Sequence, residues 1–148
     1  MAITSFINYE VEIDFKPVYP SSHPNAGDEI GISFKLKSRE CDAAKAIENK
    51  YARAATADQV VRQVNKEGVD DYKLAERLVD RMFEKMPEIN AACIVSWDLA
   101  GDTLFDEDGS ETKFTQKNKI KLLTDRRSAW LADQINAAID GIAVFTKA

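Results

Sequence analysis

The chain has 148 residues, of which 45% are hydrophobic and 30% charged, and its formal net charge is −5. That length supports one domain with its own core and leaves no room to expect two. The acidic balance disfavours nucleic-acid binding, which needs a concentrated basic surface, and the apolar runs at 91–95 and 142–145 fall far short of the roughly 20 residues that span a bilayer.

The opening MAITSFINYEVEID has neither a basic n-region nor an apolar h-region. No secretory signal is expected there, which points to the cytosol. Tyr9, Val11, Ile13 and Phe15 alternate with Glu10, Glu12, Asp14 and Lys16, the period-two pattern of a strand with one buried face. Ile30, Ile32, Phe34 and Leu36 alternate likewise with Gly31, Ser33, Lys35 and Lys37. Strands are predicted near 8–16 and 29–37, paired antiparallel so that acids on one meet lysines on the other. The intervening PVYPSSHPNAGD carries three prolines and a glycine and reads as a loop.

Helices must then cover the sheet. Ser38 is the predicted N-cap of a helix near 39–55, with Glu40 and Asp42 in its first turn. The pattern frays at Thr56, resumes near 57–66 with Val60, Val61 and Val64, and stops at Gly68. A third helix is predicted near 71–86. Its stripe of Leu74, Ala75, Leu78, Val79, Met82, Phe83 and Met86 reads as core packing in preference to a binding groove. Pro87 either kinks this helix or opens another. From Glu88 to Trp97, Asn90, Ala91 and Ala92 favour helix and Cys93, Ile94 and Val95 suit a buried strand; the reading adopted is a helix near 88–97. Asp108-Gly109 is a strong turn dipeptide flanked by Phe105 and Phe114, so a hairpin is predicted near 103–114, with both phenylalanines packed near Trp97. Thr115 caps a helix near 116–123, and Thr124 or Asp125 caps one near 125–140. The fold class expected is α+β: an N-terminal antiparallel strand pair followed by a mainly helical part and a small hairpin.

Few residues offer chemistry. Cys41 and Cys93 lack C-x-x-C spacing and read as buried thiols. His23, the only histidine, lies in the proline-rich loop without a third group to hold it as a base. Dinucleotide, P-loop and zinc-protease signatures are missing from the sequence. Placing Gly109 at the sixth position of a calcium loop puts Leu104 at the first and Thr115 at the twelfth, so the first ligand and the bidentate glutamate are both lacking. No catalytic, cofactor or metal residues are therefore assigned, and no enzyme activity is expected. Charge is more informative: six acids and no base lie between Asp98 and Glu111, and six bases against the single Asp125 lie between Lys113 and Arg127. This motivates a partner contact through Asp106 and Asp108 on the turn and Lys117 and Lys121 on the following helix, with self-association as one form of it.

The order of Trp97, an acidic Asp106-Glu107-Asp108-Gly109 turn, Phe114 with Thr115 as cap, a helix bearing Leu122 and Leu123, and a final Trp130-Leu131 helix resembles the tail assembly chaperones of long-tailed bacteriophages. Ser96 and Lys113 depart from the glycine and proline usual in that pattern, and the spacer from Trp97 to Asp106 is longer. The resemblance implies a non-enzymatic factor in the host cytoplasm that binds the tape-measure protein and helps recruit tail-tube subunits. The alternative is a structural tail or neck component whose N-terminal strands join a neighbour's sheet in a ring.

Overall fold

The computed structural model describes residues 3–64, 71–105 and 109–145. Strands β1 (Glu12–Phe15) and β2 (Ser33–Lys37) are followed by helices α1 (Asp42–Val64) and α2 (Asp71–Ala92), strand β3 (Ile94–Asp98), and helices α3 (Gln116–Thr124) and α4 (Ala129–Asp140). The α+β class is as expected. The sheet is antiparallel in the order β1-β2-β3. Its register sets Glu12 opposite Lys37 and Asp14 opposite Lys35, so the acid and lysine faces meet across the first pair. The intervening residues point inward: Phe34 and Leu36 are fully buried, with Ile13 and Phe15 packed beside them.

The third strand corrects the helix predicted at 88–97. The helix continues through Ala92, and Ile94–Asp98 then pairs with β2 across a bulge at Lys35/Leu36. Local propensity was balanced at this point, and β2 offered an unsatisfied edge beside the core, which decides in favour of a strand. Two further boundaries disappear. The helices predicted at 39–55 and 57–66 are one helix, because Thr56 returns its hydroxyl to the Ala52 carbonyl (3.0 Å) and does not break the turn. The segment beyond Pro87 continues α2, with the proline inside the helix. Ser38 does not cap α1. Its Oγ accepts from Glu40 N (3.0 Å) in the preceding turn, and Glu10 Oε1, from before β1, accepts from Asp42 N at 2.8 Å. The strands are also shorter than predicted, since Tyr9 and Glu10 form a turn before β1 and Ile30 to Ile32 lie outside β2.

α3 and α4 close the core. Leu122 from α3 and Leu131, Ile135 and Ile139 from α4 pack with Phe34, Leu36, Cys41, Ala44, Ile89, Cys93 and Ile94. Both cysteines are buried free thiols, as expected. The proline-rich loop is held to α4 by Gln134, whose amide accepts from Val18 N (3.0 Å) and donates to Val18 O (2.9 Å). Among the described residues no helix is long and apolar enough to cross a membrane.

Candidate partner-binding surface

The core ends part-way along the α1–α2 pair. Ala44 and Ile47 on α1 and Ile89 on α2 pack there, whereas farther out, among the described residues, the two helices are joined by ion pairs. Asp58 on α1 receives Arg81 and, at 3.9 Å, Arg77. Lys50 reaches Glu88 at 3.0 Å. Leu74 is buried on α2 as well. Tyr51, on the same side of α1, has its phenol pushed up to about 12 by burial and by hydrogen bonding to Glu88.

Because α2 turns its charged side to α1, its apolar side faces water. Val79 is 48%, Met82 75%, Phe83 77% and Met86 44% exposed. These residues were expected in the core, and the structure corrects that. The physical reason is the choice of face: Arg77, Arg81 and Glu88 find partners on α1, and the stripe on the far side is exposed. Monomeric proteins seldom leave a contiguous stripe of large side chains open unless it binds something. Burying these four side chains would contribute on the order of 5 kcal/mol before ordering costs. The sequence carried a signal for this, since the bases and acids spaced along α2 complement those of α1 while the chain holds more apolar stripes than one small core can take.

No protein-family model, curated protein or solved structure matches this chain.

The segment from Trp97 to Leu123 has a structural role. The Trp97 indole meets Phe34 edge-on at 6.4 Å and Phe114 at 5.0 Å between centroids, and its Nε1 donates to Thr112 O (3.2 Å). Thr115 caps α3 as predicted, its Oγ1 accepting from Asn118 N at 3.1 Å. Asn118 then donates to the carbonyls of Ser110 (3.2 Å) and Lys113 (2.9 Å), tying the turn to the helix. In place of the second arm of the predicted hairpin there is a short 3-10 turn, Ser110–Thr112, entered through Gly109 at φ 74°. Thr112 Oγ1 accepts from Leu104 N (3.0 Å), so a side chain makes the cross-link that a strand ladder would have made. Phe114 joins Trp97 as expected. Phe105 packs elsewhere, beneath Lys121 (5.1 Å) and Arg127 (4.7 Å).

The four predicted contact residues are not shown together. Asp106 and Asp108 lie outside the described residues. Lys121 is engaged within the chain, paired with Glu111 and stacked on Phe105, whereas Lys117 on the same helix is exposed. Lys119, unremarked in the sequence, is buried: its ammonium donates to Ile94 O (3.2 Å) and lies 4.7 Å from the Phe114 ring, and burial lowers its pKa. It blunts the outer edge of β3. His23 stacks on Tyr19 at 4.2 Å, and its Nδ1 accepts from Asn25 N (3.0 Å) in an exposed loop. Among the described residues no three His, Cys, Asp or Glu side chains are grouped to hold a metal ion.

Proposed function

We propose that this chain is a non-enzymatic bacteriophage tail assembly chaperone that acts in the host cytoplasm. On this reading it binds apolar helical segments of the tape-measure protein along α2, keeps them in solution, and helps recruit tail-tube subunits around them. The resemblance carried by Trp97, the acidic turn, Phe114, Thr115 and the leucines of α3 supplies the family. The observation that carries the role is the open stripe of Val79, Met82, Phe83 and Met86, because a holder of helices needs an apolar face that its own core does not consume.

Co-expression with the tape-measure protein tests it. The chain is expected to raise the soluble fraction of that protein several-fold, and the double variant Met82→Glu/Phe83→Glu to lose most of the gain while folding normally, since neither side chain is in the core. No gain with the unaltered chain would sink the reading.

A second reading, a tail or neck component that forms rings, is favoured by one feature: β1 is an edge strand, the kind of element a neighbour's strand can extend. Purified particles separate the two. A ring component is found in them and a chaperone is not.

A further inference from the structure

The charged border of the exposed stripe on α2 says more about what docks there. Ala75, Val79, Met82 and Met86 follow one another at spacings of four, three and four residues, the alternation that keeps one apolar seam facing a second helix wound about the first. The next step of three is Ile89, which lies in the core, so the seam continues into the packed body of the protein. An extended segment would need residues alternating along a sheet edge, which a helix face does not offer. The seam therefore fits a helix.

On one side, beyond Lys73, its border carries two exposed acids. Glu76 and Asp80 line a surface dent together with Tyr72, Ala75 and Val79. Both carboxylates are exposed, and neither has an ion-pair partner among the described residues, whereas Arg77 and Arg81, on the side turned to α1, are paired with Asp58. A second copy of α2 meets this border badly: an antiparallel pair places the two edges that carry Glu76 and Asp80 on the same side, which is repulsive. Resting on the reading of α2 as the client-binding face, we infer that the occupant is an amphipathic helix of another protein whose apolar seam is edged by lysine or arginine where it passes Glu76 and Asp80.

Two synthetic peptides of about 20 residues test this. Both carry leucine at alternating three- and four-residue spacing; one has lysine and the other glutamate at the flanking positions. Binding to the full chain is measured by fluorescence anisotropy at low and high salt. The lysine-edged peptide is expected to bind roughly five- to tenfold more tightly at low salt, with the preference shrinking as salt rises. The double variant Glu76→Lys/Asp80→Lys, with its helix content checked by circular dichroism, is expected to reverse the order. Val79→Asp should weaken both peptides.

Equal affinity for the two peptides overturns the charge selection and leaves α2 standing as a docking face if Val79→Asp still weakens binding. No binding of either peptide, or sedimentation showing that the chain pairs with itself through α2, overturns the inference. Failure to keep the tape-measure protein soluble, with peptide preference intact, strikes the functional reading alone.

Discussion

Tyr51 and Glu10 are single side chains whose ionisation reports on how the α1–α2 pair is mounted. Burial, then hydrogen bonding to Glu88, raises the Tyr51 phenol from 10.0 to about 12. A folded-state pKa above the unfolded one favours the neutral phenol, so its contribution to stability is complete below pH 10 and is lost as pH rises towards 12. In a spectrophotometric titration of the four tyrosines, the last step is expected near pH 12 and absent in Tyr51→Phe. If that variant leaves the last step in place, the packing described for Tyr51 is wrong. Glu10 is the opposite case. The Asp42 amide, then Lys37, lowers its pKa, so its contribution is present above the ordinary carboxylate value and is lost as pH falls through the lowered one. Because the side chain is partly solvated, Glu10→Gln is expected to cost only about 0.5 kcal/mol near neutral pH, and to remove that part of the acid sensitivity. Urea denaturation at neutral and acid pH measures both. Neither role was legible beforehand, because the contact between Glu10 and the first turn of α1 joins residues 32 positions apart.

Among the elements, the first strand pair and the start of α3 follow from local chemistry. The period-two alternation of Ile13, Phe15, Phe34 and Leu36 gave the first strand pair and its charge match, and Thr115 gave the start of α3. Elements decided by distant partners do not follow from local chemistry. Residues 94–98 have apolar, β-branched character suited to a buried strand, and also the length of a last helical turn; only the edge of β2 distinguishes the two outcomes. The predicted hairpin failed for a related reason. Gly109 takes the left-handed conformation that the Asp-Gly pair suggests, yet the chain that follows winds into a 3-10 turn, and Thr112 and Asn118 satisfy backbone groups that a ladder would have used. The stripe on α2 was legible as a stripe. Whether it faced core or water depended on which side of α2 complemented α1, and the ion pairs of Asp58 settled that outside the reach of local pattern.

For the whole molecule, the consequence is a gradient of stability along the helical pair. At its base, α1 and α2 are fixed to the sheet and to α3 and α4 through Ala44, Ile47, Ile89 and the two buried cysteines. Farther out, among the described residues, the helices hold each other with Leu74 and ion pairs around Asp58, and such surface pairs contribute little. Amide hydrogen exchange is expected to show it: protection highest near Ile47 and Ile89 and falling by at least tenfold towards Val60 and Leu74, because the outer turns open locally without unfolding the core. Uniform protection along both helices would contradict a gradient built on apolar burial. A bound helix on Val79, Met82 and Met86 supplies the missing apolar cover, so the outer turns of α2 are expected to gain the most protection on adding the lysine-edged peptide, while the base changes little. An increase at the base alone would place the peptide somewhere other than the exposed seam.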